Sequence, residues 1–173
     1  MMNAIREAMR PIEQRVRGMV SRAIVRLVDD AMKAQELQLE LLSDESQNGV
    51  ERFQNYGLTS VPHPGAEALV VFAGGLRSHG VAIAVEDRRY RLTGLAQGEV
   101  ALFDDLGNRV KLGRDRVEVM GTSAVRVEAP EVVVEADDVH LGGVGGSAVA
   151  RVGDDVDPNT NKIISGSAKV KAT

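Results

Sequence analysis

A short valine repeat fills the second half of the sequence and limits what the chain can fold into. Each unit has two apolar residues separated by one other residue, and the units are Val100–Leu102, Val110–Leu112, Val117–Val119, Val125–Val127, Val132–Val134 and Val139–Leu141. Because side chains alternate across a β-strand, the two apolar residues of a unit share one face. Six successive units indicate a repeat architecture built from short strands.

The spacing of these units predicts how many chains the fold needs. From Val110 onward the units begin seven, eight, seven and seven residues apart, which leaves room for one strand and one corner. A β-helix that a single chain winds around itself needs roughly three such strands per turn, and hexapeptide-repeat enzymes need a spacing of about six residues. We therefore predict that three identical chains each supply one face of an intertwined β-helix, which leaves no long free strand edge.

The side chains between the valines predict the surface of this shaft. The residues of outward parity are charged, namely Arg109, Arg116, Glu128, Glu131 and Glu135. The valines would then line the axis, in three copies per layer. Since one chain alone could not cover its apolar face, the repeat predicts an obligate homotrimer.

Residues 1–20 are predicted to form an amphipathic helix. Its apolar residues are spaced by 4, 3, 4 and 3, which is the spacing of a coiled-coil seam, and they are Ile5, Met9, Ile12, Val16 and Met19. Pro11 is expected to kink the helix or begin a new one, and Gly18 to end it. Two interpretations remain open: the helix packs on its own domain, or it pairs with helices of other chains.

Residues 21–95 are predicted to form a small five-stranded barrel of the oligomer-binding type. The candidate strands are 23–28, 34–41, 50–53, 68–72 and 81–85, and turn-forming residues separate them. In the second candidate, Leu37, Leu39 and Leu41 alternate with polar residues, as in a half-buried strand. The predicted organisation is thus mainly β, with a helix at 1–20, the barrel at 21–95, the shaft at 96–145 and a tip region at 146–173.

Composition argues against several classes of protein. The net charge is −4, whereas a nucleic-acid-binding protein is expected to be basic, so no nucleic-acid partner is predicted. The absence of cysteine excludes disulfides, thiolate zinc sites and cysteine nucleophiles, and it fits synthesis in the cytoplasm. No apolar run is long enough for a transmembrane helix, and the mixed charges of the N-terminus do not resemble a signal peptide.

The clearest candidate for a metal site lies near the C-terminus. Oxygen-bearing side chains occupy alternate positions, as in a calcium loop, at Asp155, Asp157, Asn159 and Asn161. The expected glycine is replaced by Thr160, and Gly166 stands where the bidentate glutamate should be. The interpretation favoured by these departures is a polar turn.

Other candidates for chemistry also have simpler interpretations. Gly142–Gly146 lacks the residues of a phosphate-binding loop and is predicted to be a hinge or corner. The pairs Asp104–Asp105 and Asp137–Asp138 are adjacent, so in strands they would face opposite sides and could not converge on one bond. His63 and His79 lie in turns and are expected to be solvated. No catalytic, cofactor-binding or metal-binding residue is predicted, and the chain is not expected to be an enzyme.

A set of ordered motifs before the repeats adds a family resemblance. They are Tyr56-Gly57, a looser Pro-x-x-Gly-x-Glu turn at Pro62, Gly65 and Glu67, a Val-Val-Phe strand at 70–72 followed by Gly74-Gly75, Gly98-Glu99, and the turn at 105–108. Over residues 15–145 the sequence resembles the Mu-type phage baseplate spike proteins, also called baseplate assembly protein V.

The resemblance implies a homotrimeric central spike that closes the tail tube in the virion baseplate and is driven through the host outer membrane. It implies tail hub or tube proteins as partners at the N-terminal end. Related spikes bind iron through a His-x-His pair near the tip, but here only His140 is present, with outward parity, so no iron site is carried over and a tip-bound ion stays open. Residues 150–167 are distantly similar to PAAR-type tip modules, which leaves open a folded-back tip or a surface for a separate tip protein.

Two other functions are compatible with a β-rich repeat. A receptor- or carbohydrate-binding tail appendage would expose aromatic residues for sugar stacking, and the shaft has almost none. A β-helix enzyme, such as an acyltransferase or polysaccharide lyase, would need a catalytic histidine or a carboxylate and arginine cluster in a groove.

Overall fold

The computed structural model describes residues 2–41 and 45–172. Helix α1 spans Met2–Arg17 and is followed by β1 (Val20–Asp29), β2 (Gln35–Leu41), β3 (Glu45–Arg52), β4 (Glu67–Phe72), a 3-10 turn (Ala73–Gly75) and β5 (Gly80–Glu86). The remaining strands are β6 (Val100–Phe103), β7 (Arg109–Leu112), β8 (Val117–Met120), β9 (Val139–Leu141), β10 (Ser147–Ala148) and β11 (Val170–Ala172). The predicted mainly β fold with an N-terminal helix is confirmed.

The helix ends where the sequence indicates. The backbone N–H of Gly18 donates to the carbonyls of Gln14 and Arg15, at 3.0 and 3.1 Å, and closes the last turn. Pro11 lies inside α1, so the expectation that it begins a new helix is wrong.

Strands β1 to β5 close into a barrel in the order β1-β2-β3-β5-β4, which confirms the predicted five-stranded barrel. Neighbouring strands are antiparallel except β3 and β5, which are parallel. The barrel encloses one core, made of Ala23, Val25, Leu37, Leu39, Leu41, Val50, Ala66, Ala68, Val70, Phe72 and Ala82. The three leucines of β2 therefore point inward, as their alternation predicts.

Strand β3 begins earlier than the predicted strand at 50–53. Its first half is polar, so no alternation of apolar residues marks it, and it forms because Glu45 and Ser46 pair with Leu41 and Glu40 of β2. The register shifts between Leu37 and Leu39, where Gly49 adopts a positive φ of 64°. Such a β-bulge inserts a residue that a pattern of alternation cannot show.

Two smaller sheets contain the other strands. β6, β7 and β8 form an antiparallel sheet, and β9, β10 and β11 form a second sheet in the order β10-β11-β9. The chain divides into two compact units, Met1–Val125 and Arg126–Thr173. Across the described ranges, no helix is long and apolar enough to cross a membrane.

Two of the six valine units, 125–127 and 132–134, are not strands in this single chain. A strand needs a hydrogen-bonded neighbour, and within the described residues neither segment has one. The other four units coincide with β6, β7, β8 and β9.

Candidate functional site

The sheet of β6, β7 and β8 carries the most distinctive surface of the first unit. The register places Val100 opposite Leu112 and Leu102 opposite Val110. It then places Leu112 opposite Val117 and Val110 opposite Val119. Since directly opposed residues of an antiparallel pair point to the same side, one face of the sheet carries two rows of three aliphatic side chains. We call this set the aliphatic face: Val100, Leu102, Val110, Leu112, Val117 and Val119.

The aliphatic face is open to solvent in the single chain. The exposed fractions of its six residues run from 38% for Val110 to 65% for Val117. Isolated apolar residues are common on protein surfaces, but two adjoining rows on one sheet face are a contiguous patch of the kind that marks an interaction surface.

The opposite face of this sheet combines ion pairs with three apolar residues, Ala101, Phe103 and Met120. Arg109 Nε lies 3.0 Å from Glu118 Oε2, and Lys111 Nζ lies 3.0 Å from Glu99 Oε2. The backbone N–H of Ala96 donates to the Glu99 carboxylate at 2.9 Å, and this bond, followed by the one from Lys111, lowers the pKa of Glu99. The sheet is thus wholly aliphatic on one side and mixed ionic and apolar on the other.

The turn between β6 and β7 is fixed by side-chain hydrogen bonds. Asp104 accepts from the backbone N–H groups of Leu106 and Asn108 and from Asn108 Nδ2, at 3.0, 2.8 and 2.6 Å. The Asn108 side chain contributes most to lowering the pKa of Asp104. Asn108 Oδ1 in turn accepts from the N–H and hydroxyl of Thr122, at 2.8 and 3.0 Å. This network ties the β6–β7 turn to the residues after β8 and holds the aliphatic rows in register.

The valines beyond β8 are also uncovered. In the first unit Val125 is exposed, and in the second unit the exposed valines are Val127, Val132 and Val134. None of these valines has a strand neighbour within the described chain. Their side chains are therefore uncovered, and their backbone N–H and C=O groups lack the partners that a β-strand provides.

A buried polar cluster in the barrel has no counterpart in the sequence patterns. Gln35 is 5% exposed, and its Oε1 accepts from Arg52 Nη1 at 2.8 Å. Arg52 also donates to the carbonyl and hydroxyl oxygens of Ser60, at 2.6 and 2.9 Å, and burial lowers its pKa. These bonds fasten the loop after β3 to the barrel. They join residues far apart in sequence, and only the fold brings the partners together.

The histidines occupy different surroundings. His63 was expected to be solvated; its side chain is half exposed, but Nε2 lies 3.1 Å from Asp105 Oδ2 and its ring lies 5.1 Å from that of Tyr90. His79 is exposed. His140 is exposed and stands opposite Lys171 in the parallel β9–β11 ladder, so the two residues share a face.

The residues around His140 do not match the iron-binding pattern. The chain has one imidazole there, beside the ammonium group of Lys171, which lies 2.6 Å from Asp138 Oδ1. That contact lowers the pKa of Asp138. In residues 2–41 and 45–172 no three His, Cys, Asp or Glu side chains are grouped to hold a metal ion, and we assign no iron site.

The calcium-like segment forms a hairpin turn. Asp157 accepts from the N–H of Asn159 and the hydroxyl of Thr160, both at 2.8 Å, and these bonds lower its pKa. Val156 and Ile163 form an isolated β-bridge beside the turn. The Asp157 carboxylate is therefore bound by local donors. Gly142, Gly143 and Gly145 all have positive φ and form the corner between β9 and β10.

Known proteins are similar to this chain over most of its length. Residues 22–89, which cover most of the barrel, match the family model described as Bacteriophage Mu Gp45, N-terminal. The chain is 40% identical over 151 residues to the baseplate puncturing device gp45 of Escherichia phage Mu, covering 83% of this chain and 77% of that protein. It is 38% identical over 138 residues to the Mu-like prophage FluMu protein gp45 of Haemophilus influenzae, covering 80% and 75%. Both alignments extend well beyond the barrel.

Proposed function

Because the chain belongs to the bacteriophage Mu gp45 family of baseplate spike proteins, we propose that it is the central spike of a phage or phage-like tail. In this role it closes the end of the tail tube and pierces the host outer membrane. The relative from phage Mu is named a baseplate puncturing device, which supports this proposal. The observation that carries it in this chain is the open aliphatic face of β6–β8.

The aliphatic face supports a shaft made of three chains. Burying a valine or leucine side chain contributes about 1.5–3 kcal/mol, and this sheet alone leaves six of them exposed in each chain. Three copies around a common axis would cover these rows and supply strand neighbours to residues 125–127 and 132–134. In this arrangement residues 96–145 form the intertwined β-helix, and the sheet face that carries the ion pairs becomes its outer surface, in contact with water.

This arrangement also assigns a role to each remaining segment of the chain. Residues 21–95 form the oligomer-binding-type barrel, which faces the tail hub or tube together with the helix of residues 1–20. Residues 146–173 form the tip region. The chain is made in the host cytoplasm and acts in the virion baseplate.

The carboxylates support a structural role rather than catalysis. Among the described residues, seven of them have lowered pKa values because the chain's own donors hydrogen-bond to them, namely Asp87, Glu99, Asp104, Asp115, Asp138, Asp154 and Asp157. A general acid near neutral pH needs a raised pKa, so these groups do not fit that role. We propose that the protein has no enzymatic activity.

The proposal is tested in particles of the phage that encodes the chain. Val119→Asp places a charge on the aliphatic face, and Ala101→Asp places the same charge on the opposite face, across from Lys111. We expect antibodies against the chain to label the distal end of the tail in wild-type and Ala101→Asp particles. Val119→Asp should remove both this label and DNA delivery while adsorption to cells is unchanged. Label on side fibres, with loss of adsorption, would contradict a spike and indicate a receptor-binding appendage.

A further inference from the structure

Helix α1 displays an apolar seam that the rest of its unit leaves uncovered. Every helical side chain from Ile5 to Arg17 is exposed, including those of the seam: Ile5 at 58%, Met9 at 47%, Ile12 at 55% and Val16 at 60%. The helix meets the barrel unit through its C-terminal end, where Gly75 packs against the backbone of Arg15. Of the two interpretations left open by the sequence, packing of the seam on its own domain is therefore wrong.

The helix is poorly suited to stand alone. It has 16 residues, just above the length of about 12–15 residues below which isolated helices in water are marginal. Pro11 removes one helical hydrogen bond, and a proline in a helix interior costs about 3 kcal/mol relative to alanine. The helix therefore needs an apolar partner along its seam.

The geometry of the seam identifies that partner. Its residues repeat at spacings of 4 and 3, which gives the narrow stripe of a coiled coil rather than the wider stripe of a helix packed on a globular surface. In heptad terms Ile5 and Ile12 occupy d positions, while Met9 and Val16 occupy a positions. Isoleucine at d favours three or four strands over two.

The outer side of the helix fits the same arrangement. Pro11 falls at a c position, on the side away from the seam, where its ring would not disturb packing between helices. The charged residues Arg6, Glu13 and Arg15 fall at the flanking e and g positions. We propose that the α1 helices of three copies of this chain pair in parallel as a short three-stranded coiled coil. In sequence this coiled coil is N-terminal, whereas the tip region is C-terminal. This inference rests on the homotrimer of the proposed function.

Cysteine cross-linking in the full-length protein tests the pairing, since the chain has no cysteine of its own. Ile12→Cys places one thiol per chain in the seam, and Gln14→Cys places it two residues away at the outer f position. After treatment of each purified variant with a short bismaleimide, we expect Ile12→Cys to give covalent dimers on a denaturing gel. Because each chain has one thiol, a bismaleimide can join only two of the three chains in a trimer. The control Gln14→Cys should stay monomeric on the gel.

Light scattering on the same samples separates this inference from the proposed function. A three-chain mass without Ile12→Cys dimers, or with equal cross-linking of Gln14→Cys, would overturn the coiled coil and leave the trimeric spike standing. A one-chain mass would overturn both. As a second measurement, Ile12→Asp should lower the helical circular dichroism signal and Gln14→Asp should not. An unchanged signal in Ile12→Asp would show that the helix does not depend on its seam, and the pairing would be refuted.

Discussion

Leu102 and Val110 lie directly opposite each other in the β6–β7 ladder, and both side chains are exposed. Val119 extends the same row on β8. A single chain thus presents to water a row of aliphatic side chains that the sheet has aligned for burial. This relationship underlies the trimeric spike that we propose.

Charge on the aliphatic face should prevent assembly. Replacing Val119 by Asp would place three carboxylates near the common axis without partners, and burial of an unpaired charge is strongly unfavourable. We expect the variant to lose its three-chain mass in sedimentation analysis. Ala101→Asp is the matched control, because its carboxylate would face Lys111 on the side of the sheet that carries the ion pairs. If Val119→Asp assembles like the wild type, the aliphatic face is not the contact between chains.

The polar cluster in the barrel should contribute to stability. Arg52→Met removes the donor to Gln35 and Ser60 and leaves the buried Gln35 Oε1 without it. Leaving a buried acceptor unsatisfied costs about 1–3 kcal/mol, so the free energy of unfolding in guanidinium should fall by that amount. Arg91→Met should change it by about 0.5 kcal/mol or less, because Arg91 and Glu86 are both more than half exposed. Equal effects of the two substitutions would argue against the cluster.

Acid should weaken the β6–β7 turn through Asp104. Its pKa in the folded chain is below the ordinary value of 3.8, because Asn108 hydrogen-bonds to the carboxylate. The ionised Asp104 carboxylate therefore stabilises the folded chain fully at pH values well above 3.8. This stabilisation is lost as the pH falls through that value toward the lower pKa of the folded chain. Between about pH 5 and pH 3 the melting temperature of Asp104→Asn should fall less than that of the wild type. Glu51→Gln, at an exposed position in β3, should follow the wild type; parallel curves for all three proteins would refute the role of Asp104.

The junction between α1 and the barrel should depend on one glycine. A Cβ at Gly75 would lie 2.5 Å from the carbonyl oxygen of Arg15, whereas a Cβ at Gly74 would have nothing within 4 Å. Both glycines have positive φ, so alanine at either position pays a similar backbone cost of about 1–2 kcal/mol. Only Gly75→Ala should also displace the end of the helix, which would appear as faster amide hydrogen exchange in residues 12–18. Equal exchange in the two variants would contradict the contact.

The barrel could be predicted from the sequence wherever burial imposes a period of two. Leu37, Leu39 and Leu41 alternate because one face of β2 meets the core, and all three are buried as expected. The start of β3 could not be predicted, because Glu45 and Ser46 are held by pairing with β2 and not by burial of their own side chains. The bond between Gln35 and Arg52 was equally hidden, since it depends on the register of β2 and β3, which places these two residues opposite each other.

The repeats were predictable as apolar units but not in all their pairings. The units that begin at Val110 and Val117 lie in observed strands because β6, β7 and β8 pair within the chain. Val125 and Val132 begin units of the same pattern, yet no described segment of this chain hydrogen-bonds to them as a strand neighbour. The pattern indicates which side chains are to be buried, but it does not indicate whether the strand that covers them comes from the same chain.

The most direct test of the proposed trimeric spike is the mass of the purified protein at micromolar concentration, measured by multi-angle light scattering. A trimeric spike should give a single species of three times the 18.5 kDa chain, with no dissociation on dilution. A monodisperse species of 18.5 kDa would contradict it, because the aliphatic face of β6–β8 and the seam of α1 would then both remain in water.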